Sequence, residues 1–386
     1  MRIGASIAAL VLVACLGAGS AGSAPVATGV VVSFGESIAA GEGVGSHTGY
    51  PDNPGAYPAL LAKSLGWASY DFAISGACTS TSTAGDPRTD GHCASAKSIM
   101  TRQIPDAVNY QQRNGSLSPS LVTLTIGAND IYFAQCLQAL LLEQVGKPAP
   151  SDPCSDANLQ THLAALSQNL PAVLKKLNAV FPGAPIAVTG YYRVFPASVK
   201  TGSECFNAMK TLYFVRAYNT NNLFGLAVAL ITGRLNGDIA GFAAALSRRE
   251  QTVLGQLNNL ILTAARGDGA TFVPLNFSGH DFCQDYPGGS HSSYVLAPQA
   301  GPATVTVDAL VYHHTFEQGL VPATRCVPQP SCNVKTYSAN GTKSAQWHGQ
   351  KVSLRYSLFA ELNDFPHLTP AGQSAVAAAI RSRVPG

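Results

Sequence analysis

Charge is the first scarcity. Lys, Arg, Asp and Glu make up only 12% of the 386 residues, and the net charge is +3. No basic cluster occurs, which argues against a nucleic-acid binder: such proteins concentrate Lys and Arg to displace counterions from phosphates. No apolar run reaches the roughly 20 residues needed to cross a bilayer. Neither a C-x-x-C pair nor an H-x-x-x-H pair is present, which argues against structural zinc. Internal repeats are absent as well. What remains is rich in apolar residues, 46% with a mean hydropathy of +0.12. That is too apolar for a disordered chain. The length suits one elaborated α/β domain as well as two or three average ones.

The chain opens as an export leader. Met1-Arg2 precedes an apolar stretch from Ile3 to Ala14, and small residues follow to Ala24. This has the plan of a secretory signal, so residues 1–27 stand outside the fold. Leu12-Val13-Ala14-Cys15 also resembles a bacterial lipobox. In that case Cys15 would be acylated and anchor the protein to the outer face of the membrane. Eight further cysteines remain: Cys78, Cys93, Cys136, Cys154, Cys205, Cys283, Cys326 and Cys332. An even number in an exported chain predicts disulfides, although sequence alone fixes none of the 105 pairings. Nearest-neighbour pairing gives 78–93, 136–154, 205–283 and 326–332.

Along the mature chain, short apolar runs alternate with helical spacing. Gly29–Phe34, Ser69–Ile74, Leu121–Ile126, Pro185–Tyr191 and Ala270–Pro274 read as strands, several of them apolar on both faces. Tyr57–Leu65 and Ala157–Val180 read as helices, the second carrying a proline at 171 that would kink or split it. Such alternation predicts a parallel sheet covered on both faces, in a single domain over 28–386. Leu223–Gly233 is apolar nearly all round. It reads as a core or crevice-covering helix, with a lid at a lipid interface as the alternative. The stretch of about 284–357 reads as a long excursion of weak periodicity before the C-terminal helix.

Four pieces carry chemistry. Gly35-Glu36-Ser37 closes the first strand and places a serine at a helix start, near free backbone N–H groups. Ser75-Gly76-Ala77 follows the second strand, and Gly127-Ala128-Asn129-Asp130 the third. Ligands in open α/β sheets bind at this carboxyl edge, and an asparagine amide there suits a developing oxyanion. Asp364-x-x-His367 comes just before Thr369-Pro370, a helix N-cap followed by proline at the first position. Asp364 can fold back to Nδ1 of His367 and leave Nε2 free to take a serine proton. Taken singly, each piece has an ordinary structural use as a cap, a turn or a surface pair.

Together and in this order, the four pieces resemble the SGNH/GDSL hydrolase family. Ser37 matches its nucleophile, Gly76 and Asn129 its oxyanion residues, and Asp364 with His367 its D-x-x-H. The resemblance implies a flavodoxin-like, three-layer α/β/α fold with a five-stranded parallel sheet. It implies a serine esterase or lipase acting through an acyl-enzyme, with no metal or organic cofactor. The Ser37 N–H would join Gly76 and Asn129 in the oxyanion hole. Gly279-His280-x-x-Cys283 and the other cysteines further resemble the secreted actinobacterial esterase and lipase branch. One departure is Glu36, where the family usually carries aspartate. His280 is expected to be structural, and His313, His314 and His348 to be surface or loop residues. The rival activities are deacetylation of cell-wall or plant polysaccharides and a non-catalytic surface binder on the same scaffold. Expected partners are a small-molecule or lipid ester and, transiently, a lipid interface; nucleic acid is not among them. A monomer is the expected state.

Overall fold

The computed structural model describes residues 29–44, 53–80, 93–115, 117–133, 135–137, 155–203, 233–280 and 367–384, with scattered positions between 205 and 229. Between 299 and 361 it describes the backbone of five strands. Asp364, His348, Cys154, Cys283, Cys326, Cys332, the leader and nearly all of 223–233 lie outside the described residues.

Five strands form one all-parallel sheet: β1 (Val30–Gly35), β2 (Ala68–Asp71), β3 (Leu121–Thr125), β4 (Ile186–Thr189) and β5 (Thr271–Val273). Their spatial order is β2-β1-β3-β4-β5. This is the flavodoxin-like order, in which β1 and β3 meet at the switch point where ligands bind. Every residue of β3 and β4 is buried, which explains their unbroken apolar and threonine character.

The two sheet faces differ in chemistry. On one face Phe34 stacks on Phe72, with ring centroids 5.8 Å apart, and meets Phe181 at 6.0 Å. Phe181 caps α4 (Asp156–Val180), a single helix that runs through Pro171 rather than splitting there. α4 packs on α5 (Leu235–Gly267), and α3 (Ile104–Asn114) lies against Tyr70 and Phe72 through Tyr110. On the opposite face Tyr57 of α2 (Tyr57–Leu65) shares a 2.9 Å hydrogen bond with Thr125, which shares one of 2.7 Å with Thr189. There α2 packs against the C-terminal helix α6 (Pro370–Arg381). Helices on both faces of one sheet make the three layers.

The excursion before α6 holds more structure than its composition suggests. It carries β6 (Gln299–Ala300), β7 (Thr304–Ala309), β8 (Tyr312–Phe316), β9 (Thr336–Trp347) and β10 (Gln350–Glu361). β10 pairs antiparallel with β6, β7 and β9, and β7 with β8. His313 and His314 therefore lie on a strand rather than in a loop.

Cys78 and Cys93 are joined, as nearest-neighbour pairing predicts. Cys136 and Cys205 are also disulfide-bonded, to partners outside the described residues. The mature protein is therefore expected to show no free thiol by intact mass, and peptide mapping should join Cys78 to Cys93. The 15-residue separation gives a closed loop worth roughly 3 kcal/mol in the chain-entropy account. Reduction should lower the melting temperature, and two or more reactive thiols in native protein would contradict this framework.

Candidate active site

The nucleophile turn begins at the last residue of β1. Gly35 has φ +146, and a Cβ there would run into the Thr125 carbonyl, so only glycine fits. The buried Gln103 side chain clamps it at both ends: Oε1 accepts from Gly35 N at 2.9 Å, and Nε2 donates to Gly35 O at 2.8 Å. The Glu36 N–H then donates to Thr125 O at 3.0 Å, locking the turn to β3. Glu36 is extended and acts as the N-cap of α1 (Ser37–Ala40), a single helical turn. Ile38, Ala39 and Ala40 are buried while Ser37 is half-buried. The serine therefore stands at the carboxyl edge of the sheet on an anchored turn.

Glu36 is the centre of a buried network. Its side chain reaches away from Ser37 toward the loop after β3. Oε2 accepts from Asn129 Nδ2 at 3.0 Å and from Asn129 N at 3.4 Å, and Oε1 accepts from the Tyr191 hydroxyl at 2.8 Å. Tyr191 in turn accepts from the Ala128 N–H at 3.0 Å. Asn258 of α5 holds the Tyr191 backbone, accepting from its N–H at 2.7 Å and donating to its carbonyl at 2.9 Å. Burial pushes the Glu36 carboxyl up to about 8, against the opposing effect of these donors. Burial and the neighbouring Glu36 raise the Tyr191 phenol as well.

Asn129 is held on two sides. Besides Glu36, its amide donates to the Ala77 carbonyl at 3.0 Å, so both Nδ2 hydrogens have protein acceptors. The neighbouring Asp130 accepts from Thr79 N at 3.1 Å and from the Thr79 hydroxyl. The loop after β3 is thus stitched to the loop that carries Gly76. Gly76 has φ +79, a left-handed turn position suited to glycine. Its carbonyl accepts from Cys93 N at 2.9 Å, beside the Cys78–Cys93 bond.

His367 arrives from the far end of the chain. Thr369 caps α6 by accepting from Gly372 N at 3.1 Å, with Pro370 at the first position. Gln373, fully buried, accepts from Tyr57 N at 2.8 Å and donates to Ile38 O at 3.2 Å. The last contact ties α6 directly to the serine-bearing turn. His367 Nε2 lies 3.8 Å from Glu42 Oε2, and Glu42 N donates to Ser37 O at 2.9 Å. His367 Nδ1 is buried without a hydrogen-bond partner among the described residues, and it is the atom to which the sequence pattern directs Asp364. His280 sits in the turn after β5, its N–H donating to Phe277 O at 2.8 Å.

Four residues that frame this site carry no signal in the sequence: Gln103, Tyr191, Glu42 and Gln373. Among the described residues no group of three or more His, Cys, Asp or Glu side chains is arranged to hold a metal.

The profile of the GDSL-like lipase/acylhydrolase family matches residues 33–295, more than half of the chain. The chain belongs to the GDSL-like lipase/acylhydrolase family. It is accordingly a carboxylic ester hydrolase. No curated protein matches it. Among solved structures it is similar to a phospholipase A1 from Streptomyces albidoflavus, at 20% identity with a TM-score of 0.49, covering 92% of this chain and 99% of that one. An extracellular lipase from Streptomyces rimosus is 20% identical, TM-score 0.44, over 70% of this chain and 88% of that one. An acetyl xylan esterase from Butyrivibrio proteoclasticus is 11% identical, TM-score 0.32, over 65% and 56% respectively.

Proposed function

We propose that this family member is an exported esterase or lipase working through an acyl-enzyme on Ser37. The observation that supports the reading is the approach of His367 Nε2 to within 3.8 Å of Glu42 Oε2, on the turn whose Glu42 N–H donates to Ser37 O. His367 takes the Ser37 proton as Oγ attacks the acyl carbon. The carbonyl electron pair moves onto oxygen, where the Ser37 and Gly76 N–H groups and the Asn129 amide receive it. Asn129 would serve this role by sharing the hydrogen now given to Ala77 O. The proton passes from His367 to the departing alcohol, and water releases the acyl group by the same steps in reverse order. Asp364 orients His367 from its own loop.

The disulfides support export. Whether the leader is cleaved or Cys15 is acylated is decided by the mass of the mature N-terminus. The deciding experiment for substrate is a panel of esters of rising acyl length, assayed with the mature enzyme and with Ser37→Ala. Hydrolysis of acyl chains beyond acetyl, abolished in Ser37→Ala, is the expected result. Activity confined to acetyl esters of polysaccharides would replace this reading with a deacetylase, and no hydrolysis of any ester would defeat it.

A further inference from the structure

We propose that Glu42 is a positioning residue for His367, its carboxylate stabilising the imidazolium that forms when the base takes the Ser37 proton. This rests on the reading of Ser37 and His367 as nucleophile and base. The separation of 3.8 Å between Glu42 Oε2 and His367 Nε2 is too long for a hydrogen bond but within range of ion pairing. A neutral imidazole therefore keeps its Nε2 lone pair for the Ser37 hydroxyl. Once the proton has crossed, ring and carboxylate carry opposite charge and attract. An interaction present only after proton transfer favours the transition state over the ground state, which is what raises kcat.

Three observations make this more than a surface pair. First, both groups are largely removed from water: the side chains are 20% exposed for His367 and 10% for Glu42, so solvent screens the attraction weakly. Second, Glu42 is anchored on the nucleophile's own turn. Gly41, at φ 72, reverses the chain after α1, and the Glu42 N–H closes back onto Ser37 O at 2.9 Å. Carboxylate and nucleophile therefore move together. Third, the helix that follows His367 is anchored independently, by the Thr369 cap and by the Gln373 bond to Ile38 O. The charged group that faces the ring from the turn after α1 is Glu42. Glu42 lies at Nε2, whereas the D-x-x-H reading of the sequence directs Asp364 to the other nitrogen.

The test is the pH profile of kcat/KM for Glu42→Gln, which keeps the shape and removes the charge. Removing the charge that favours the imidazolium should move the acid limb to lower pH and lower the plateau kcat about tenfold, with KM little changed. Glu42→Asp should restore part of both and serves the same test if the glutamine variant does not fold. An unmoved acid limb would overturn the proposal. So would a shifted limb with a faster plateau, since Glu42 would then be competing with Ser37 for the base. A fluorophosphonate adduct on Ser37 in wild type, measured in parallel, separates the two failures. Its absence counts against the nucleophile, whereas its presence with an unmoved limb counts against Glu42 alone.

Discussion

Ser37→Ala is expected to abolish ester turnover while leaving the fold intact. Removing the nucleophile of a serine hydrolase costs roughly six orders of magnitude in kcat, because the acyl-enzyme route is lost as a unit. The fold should hardly respond. Ser37 is half-buried at the first position of α1, and alanine is the best helix former. The turn itself is held by Gln103, Thr125 and the Glu36 network. Circular dichroism and melting temperature should therefore match wild type within experimental scatter. A fluorophosphonate should label wild type once, at Ser37, and His367→Ala should suppress labelling. Asn129→Ala should lower kcat by roughly two to three orders of magnitude as an oxyanion donor is lost. It should also lower stability, because Glu36 Oε2 loses the side-chain donor on which it rests. Undiminished turnover in Ser37→Ala, or labelling of another residue, would contradict the assignment.

Much of this frame is legible in the sequence because it rests on local chemistry. β1, β3, β4 and β5 lie within a residue or two of the apolar runs that announce them. α6 begins where Thr369-Pro370 places it. Other features depend on neighbours distant in the chain. Tyr191 reaches Glu36 across 155 positions, and only because β4 pairs with β3 while β3 pairs with β1. Gln373 meets Ile38 across 335 positions. No local pattern marks a glutamine for such a task. α5 is obscured for another reason. Its buried positions Leu235, Ile239, Phe242, Leu246, Val253, Leu257 and Ile261 keep helical spacing. They are interrupted by Gly237, Gly241, Gly255 and the buried Glu250. That glutamate stays inside by accepting from Val194 N at 2.6 Å and Phe195 N at 2.9 Å. The hairpin of β9 and β10 has a readable signal in the alternation of Val352, Leu354, Tyr356 and Leu358, hidden by the Gly and Ser around it.

Glu36 is the departure from the family pattern, and its replacement is expected to reduce both stability and rate. The carboxylate reaches Tyr191 with one oxygen and Asn129 with the other. Glu36→Asp is one methylene shorter and cannot hold both, so it leaves a buried donor unpaired, at a cost of about 1–3 kcal/mol. Asn129 would lose a tether, so kcat should fall with the melting temperature. A higher kcat would show instead that the longer side chain strains the nucleophile turn. Glu36→Gln isolates the charge. In wild type the folded carboxyl titrates at about 8, against an ordinary value of 4.5. Below 4.5 both folded and unfolded states hold the proton. Between 4.5 and 8 the unfolded chain has released it while the folded protein retains it, so stability falls as pH rises. Above 8 both are ionised and the loss is complete. The stability of wild type relative to Glu36→Gln should therefore decline across that window, by at most about 1.4 kcal/mol per pH unit, and level off above it. Chemical denaturation of both proteins at pH 5, 7 and 9 reads this difference directly. A difference that does not change with pH would mean that Glu36 is ionised in the folded protein throughout. The three donors around it would then outweigh its burial.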